Sequence, residues 1–178
     1  MNILIYRYGS ICEPDVITGF QALGNQVSEI TAEIYNKNLS PSEGVTLLKN
    51  ELLTYSYDFV FSINFFPFIS EVCNIFQIRY ICQTVDSPVM ELYSNSICNP
   101  WNRIFMFDKA QYDEFSPKNP AGIFHLPLAS NPTRWESVIN NATPSQIDRY
   151  SGDVSFVGSL YTEKSPYRRL KNAPDYLT

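Results

Sequence analysis

The residue in this sequence best suited to catalysis is Asp86, in the stretch VDSP at 85–88. A carboxylate can take a proton from a hydroxyl group as a general base, or hold that hydroxyl in position. Gly9 and Ser10 form a small, adaptable backbone loop after an apolar run, and Asn64 and Ser87 follow similar runs. Together these residues predict a site for a polyhydroxylated ligand, with Asp86 as its candidate base.

Each candidate also has a purely structural explanation. Asp86, ahead of Ser-Pro, could cap a helical turn, and Asp108 is more typical of a helix N-cap than of a ligand contact. Asn64 could close a loop hydrogen bond. His125, the one histidine, is a candidate substrate contact, but it lies in an apolar run where a core histidine is favoured. One glycine at position 9 is far from a dinucleotide-binding fingerprint.

Apolar segments that alternate with amphipathic segments must position these side chains. Such a pattern is typical of a parallel sheet covered by helices on both faces. The sequence therefore predicts an α/β fold with a doubly wound, mostly parallel, Rossmann-like sheet. The predicted strands cover residues 2–6, 26–31, 58–63, 79–85, 103–108 and 123–129.

The ligand site is expected beyond the carboxyl ends of these strands, where the strand order reverses. We take the common order 3-2-1-4-5 as the expectation. In that order the loop containing Gly9 and the loop containing Asp86 flank the reversal together. A carboxylate would then face a small backbone loop across the site.

Composition excludes several classes of partner. The 178 residues carry a formal net charge of -5 without a block of Lys or Arg, so nucleic acid is not the expected partner. The start, MNILIYRYG, lacks a basic leader, and the apolar stretch 59–69 is too short to span a membrane. The four cysteines show no pairing or metal spacing. We expect a cytoplasmic protein without a membrane span, metal or cofactor.

Three segments in a fixed order carry a more specific signal. VDSP (85–88), HLPLASNPTRW (125–135) and VSFVGSLY (154–161) resemble the amino-terminal half of CgeB-like, spore maturation protein-like glycosyltransferases. The resemblance extends over roughly residues 1–170. It implies the GT-B architecture, in which two Rossmann-like domains face each other. The first domain binds the acceptor substrate, and the second binds the nucleotide-sugar donor.

The resemblance implies a division of this chain into three parts. Residues 1–130 would be the acceptor-side domain, 131–152 a linker, and 153–178 the start of a truncated nucleotide-sugar-binding domain. Gly158 and Ser159 match the turn that approaches the donor diphosphate. Lys164 and Arg168 could add positive charge there.

The implied function is transfer of a sugar from a UDP- or GDP-linked donor to an unknown acceptor. Such transfer needs both walls of one cleft, so the 178-residue chain is expected to be inactive alone. The alternative is a non-catalytic interaction domain with the same fold, for example in spore-coat or surface assembly. A receiver-like, flavodoxin-type domain is disfavoured, because the sequence lacks an acidic cluster after its first strand.

Overall fold

The computed structural model describes residues 1–156 and residue 158. The chain divides into two compact units, Met1–Asn131 and Pro132–Thr178. All of the sheet lies in the first unit.

A six-stranded parallel sheet forms the centre of the first unit, which confirms the predicted doubly wound, Rossmann-like α/β fold. Apolar residues dominate these strands, and β3 is buried along its whole length because helices cover both faces of the sheet. The strands are β1 (Asn2–Tyr6), β2 (Gln26–Ile30), β3 (Phe59–Ile63), β4 (Arg79–Gln83), β5 (Asn102–Met106) and β6 (Ile123–His125).

The strand order is β2-β1-β3-β4-β5-β6, so the expected order 3-2-1-4-5 is wrong. β1 pairs with β2 on one side and with β3 on the other. The reversal therefore lies between β1 and β3, as in the flavodoxin-like arrangement. The loops after β1 and β3 flank it, and the loop after β4 lies one strand further along.

Helices with clear start signals connect the strands. Ser40 and Glu43 form a capping box at the start of α3, and Pro67 opens α4. The described part of the first unit contains α1 (Glu13–Ala22), α2 (Ala32–Tyr35), α3 (Pro41–Thr54), α4 (Pro67–Phe76) and α5 (Lys109–Phe115). Short 3-10 helices cover Met90–Tyr93, Asn95–Cys98 and Ser116–Lys118.

Two apolar clusters pack on opposite faces of the sheet. The larger one joins Leu48 of α3, Ile69 of α4 and Phe115 of α5 to one face. The smaller one joins Ile17 of α1 to the other face. Alternate residues of β1 enter different clusters, as the two-residue period of a strand requires.

The second unit contains two described helices, α6 (Pro132–Asn140) and α7 (Pro144–Tyr150). The segment predicted as a linker is thus largely helical, and Thr143 and Gln146 supply a capping box for α7. Neither helix has a buried residue. Residues 153–156 belong to no helix or strand. No helix in the described ranges is long and apolar enough to cross a membrane.

Candidate functional site

Asn64 connects the three strand ends nearest the reversal. Its backbone is left-handed, with φ 57°, and its N–H donates to the Gln83 carbonyl at 2.8 Å. Its Oδ1 accepts from the Val85 N–H at 2.9 Å. Its Nδ2 donates to the Tyr8 hydroxyl at 3.0 Å and to Asp86 Oδ2 at 2.6 Å. Asn64 therefore brings Asp86 to the reversal, although β4 is not one of its two flanking strands.

Buried hydroxyl groups hydrogen-bond the backbone of the turn at Asn64. The Ser62 hydroxyl donates to the Asn64 carbonyl at 2.7 Å and lies 2.6 Å from the Tyr80 hydroxyl. The Phe66 N–H donates to that same Tyr80 oxygen at 2.9 Å. Burial raises the pKa of Tyr80 well above its ordinary value, so its phenol stays neutral and keeps its proton. The turn is fixed by the core and needs no ligand to form.

The loop after β1 is closed by Glu13, the first residue of α1. The carboxylate is almost fully buried, with 1% of the residue exposed. It accepts hydrogen bonds from the Tyr8 N–H at 2.9 Å, the Gly9 N–H at 3.1 Å and Arg7 Nε at 3.0 Å. These N–H groups are consequently not available to a ligand phosphate.

The predicted Gly9 and Ser10 contacts are engaged within this loop. Gly9 has φ +95°, a conformation that favours glycine. The Ser10 hydroxyl accepts from the Cys12 N–H at 3.4 Å. The structure brings this loop beside Asn64 through Tyr8, whose ring faces the neighbouring strand end. Glu13 was missed by the sequence analysis, although an acidic residue ahead of Pro14 in a first helical turn is a visible signal.

A cleft of about 310 Å³ opens at the carboxyl ends of β1, β3 and β4. It combines aromatic walls with three carboxylates, and its described lining contains no Lys, Arg or His. A cleft in this position is where open parallel sheets bind ligands. Its lining residues are Tyr8, Glu33, Asn64, Phe65, Phe66, Asp86, Pro88, Val89 and Glu91.

A second cleft, of about 450 Å³, lies at the amino ends of β3 and β4, and Arg79 and Trp101 are among its lining residues. It is larger, but it contains none of the predicted site residues. We therefore take the cleft at the carboxyl ends as the candidate site.

Asp86 lies exposed at the rim of this cleft and does not cap a helix. Its Oδ2 is held by Asn64, while no described residue donates a hydrogen bond to its Oδ1. Burial raises the pKa of Tyr8, and the charge of nearby Asp86 raises it further. The arrangement presents one oriented carboxylate oxygen to a ligand hydroxyl.

Ser87 is directed away from the cleft, towards β5. Its hydroxyl donates to Asp108 Oδ2 at 2.5 Å, and Asp108 Oδ1 accepts from the Ala110 N–H at 2.7 Å. Asp108 is therefore the N-cap of α5, as the structural explanation held. These hydrogen bonds, with the one from Ser87 the strongest cause, lower the pKa of Asp108 below its ordinary value.

His125 is exposed, so its interpretation as a core histidine is wrong. β6 is the edge strand of the sheet, and Phe124 and His125, whose side chains point to opposite faces, are both exposed. His125 Nε2 lies 3.2 Å from the Phe107 carbonyl, and its ring contacts Tyr112. Two strands separate β6 from β3, so the structure does not bring His125 to Asn64 and Asp86.

The remaining predicted residues belong to the donor side. Gly158 is described and exposed, whereas Ser159, Lys164 and Arg168 lie outside the described residues. Within the described ranges, no group of three or more His, Cys, Asp or Glu is placed to hold a metal ion. Cys73 and Cys82 are buried free thiols, and burial raises the pKa of both.

No protein-family model, curated protein or solved structure matches this chain.

Proposed function

We propose that this chain is the acceptor-binding lobe of a two-lobe glycosyltransferase. The hydrogen bond from Asn64 to Asp86, at the rim of a cleft with aromatic walls, is the observation that carries the proposal. Carboxylate and amide groups hydrogen-bond sugar hydroxyls, and aromatic rings pack against the apolar face of a sugar. The cleft is large enough for a monosaccharide unit.

Asp86 is the base of the proposed reaction. An acceptor hydroxyl donates to Asp86 Oδ1, and its oxygen bonds to the anomeric carbon of the donor sugar. The bond from that carbon to the nucleotide diphosphate breaks, its electron pair leaves with the diphosphate, and the hydroxyl proton passes to Asp86. In a retaining reaction Asp86 would position the hydroxyl instead.

The donor is proposed to bind to a second lobe, because this lobe is poorly suited to phosphate. Three carboxylates line the cleft, and Glu13 already accepts from the loop N–H groups that could bind an anion. The donor is a UDP- or GDP-sugar whose diphosphate would meet Gly158 and Ser159, with Lys164 and Arg168 nearby. The 178-residue chain alone would then transfer sugar negligibly.

The test is Asp86→Asn in the full gene-encoded protein, assayed with UDP- and GDP-sugars. Asn at this position can still accept from Asn64 Nδ2, so the fold is preserved while the base is lost. We expect kcat to fall by about 100-fold or more, with the urea midpoint unchanged. Ser87→Ala, whose hydroxyl faces Asp108, is the matched control. Undiminished turnover in Asp86→Asn would refute the assignment.

A non-catalytic interaction domain is the second candidate. It is favoured by large apolar side chains exposed on the second unit, including Trp135 (55%), Ile139 (70%) and Tyr150 (74%). An interaction domain would bind no nucleotide-sugar in the full-length protein. Calorimetric titration with both donor classes therefore separates the two candidates.

A further inference from the structure

We propose that the molecule bound in the carboxyl-end cleft carries a protonated amine beside its hydroxyl groups, as an amino sugar does. This inference rests on the proposed acceptor function and narrows the class of acceptor. The concave shape of the cleft, its aromatic walls and its position at the strand reversal identify it as a candidate binding site. The charge of the residues that line the cleft then determines which class of ligand binds best.

Three carboxylates, from Glu33, Asp86 and Glu91, line the cleft without a basic side chain among its described lining residues. Each comes from a different part of the fold: α2, the end of β4, and the first 3-10 helix. The negative charge is therefore spread around the cleft. A neutral sugar can hydrogen-bond these carboxylates but does not compensate their charge.

The protein's own contacts do not neutralise these carboxylates. Glu33 Oε2 accepts from the Tyr6 hydroxyl at 2.6 Å, and Asp86 Oδ2 accepts from the Asn64 amide at 2.6 Å. Both donors are neutral, and burial keeps the Tyr6 pKa above its ordinary value. Glu91 has no side-chain hydrogen bond to another described residue.

Two basic side chains close to the loop after β1, Lys37 and Arg7, are engaged by other groups. Lys37 Nζ donates to the Tyr8 backbone carbonyl, outside the cleft lining. Arg7 is paired with Glu13 at 3.0 Å and with Glu29 at 2.5 Å. Neither basic side chain lines the cleft beside its three carboxylates.

Aromatic rings add a second preference for a cation. Tyr8 and Phe66 both line the cleft, with ring centroids 5.5 Å apart. An ammonium group gains from the negative face of such rings when it is partly removed from water. The three carboxylates form no group able to hold a metal ion, so a ligand that spans the cleft fits them better than a single ion.

The test compares three sugars on the 178-residue chain by NMR titration near pH 6.5. The probes are glucosamine, N-acetylglucosamine and glucose, which differ in the substituent at one carbon, and only glucosamine carries a charge there. We expect glucosamine to bind about tenfold tighter than either neutral sugar. Raising the salt concentration should reduce that advantage, because added ions screen exposed charges.

Variants identify the source of the preference. Glu91→Gln and Glu33→Gln should each weaken glucosamine binding by about fivefold, the effect of one charge at close range in water, and leave glucose binding unchanged. Glu71→Gln is the matched control, because this glutamate lies on α4 outside the cleft lining and its replacement can still accept from Asn99.

Each outcome decides the inference. Equal binding of all three sugars would overturn the amine preference and leave the acceptor function standing. Tighter glucosamine binding that is unaffected by Glu91→Gln and Glu33→Gln would overturn it as well. Absence of binding by every sugar, at the highest soluble concentrations, would overturn both the inference and the acceptor function.

Discussion

The two loops that flank the strand reversal differ in what they offer to a ligand. After β1, backbone N–H groups of Tyr8 and Gly9 are already bonded to the buried Glu13 carboxylate. After β3, Asn64 is fixed by backbone contacts, yet it holds an exposed carboxylate, Asp86, at the cleft. Anion-binding groups are thus used internally, while hydrogen-bond acceptors remain available. Under the proposed function, a domain built in this way suits an acceptor better than a nucleotide.

The largest effect on stability is expected from replacing Glu13, whose carboxylate accepts hydrogen bonds from the backbone of the loop after β1. Glu13→Ala leaves Arg7 and two N–H groups without their shared partner. We expect the free energy of unfolding to fall by roughly 3 kcal/mol, the lower end for a broken buried ion pair, since Arg7 is partly exposed. Urea denaturation measures it, with Glu13→Gln as the control that keeps the shape and loses less. A Glu13→Gln variant as stable as the unmodified protein would show that the charge has no structural role, and an equally stable Glu13→Ala variant would contradict the role of Glu13 in the loop.

A smaller effect on stability is expected at Asn64, in the loop after β3. Asn64→Gly keeps the left-handed backbone and removes the side-chain hydrogen bonds, at a cost of about 1–2 kcal/mol. Asn64→Ala removes the same bonds and adds about 1 kcal/mol for a left-handed residue with a Cβ. Equal stability of the two variants in urea denaturation would mean that the turn relaxes to another conformation.

The smallest effect concerns Ser87, which the sequence placed in the site and the structure places on Asp108. The Asp108 pKa is lowered in the folded state, so its contribution to stability is present above the ordinary carboxyl pKa and is lost as pH falls through the lowered value. In an NMR pH titration, Ser87→Ala should raise the Asp108 pKa towards its ordinary range. Glucosamine affinity should not change. A weakened affinity would return Ser87 to the site.

The parallel sheet was predictable because its signal is local. Buried strands such as 59–63 are apolar without alternation, and Ser40 and Pro67 mark the starts of helices. The strand order was not predictable, because adjacent strands in a parallel sheet are joined by crossovers that leave no mark on residue spacing. The exposure of His125 was missed because the apolar run at 123–129 does not show how much of β6 its neighbours cover.

The candidate site was predicted in part. Asn64 and Asp86 were identified by their place after apolar runs, and they are in contact. Glu33 and Glu91 were not identified, because α2 and the 3-10 helix at Met90–Tyr93 are too short to show a periodic pattern. The position of Glu13 ahead of Pro14 signals the start of a helix, but its ion pair with Arg7 depends on tertiary contacts that sequence spacing does not reveal.

Chemical-shift mapping of glucosamine on the 178-residue chain tests the central assignment most directly. We predict that the largest shifts fall on the Asn64 side-chain amide, the Asp86 carboxyl and Glu91. Shifts concentrated instead at Arg79 and Trp101, in the cleft at the opposite edge of the sheet, would contradict the account.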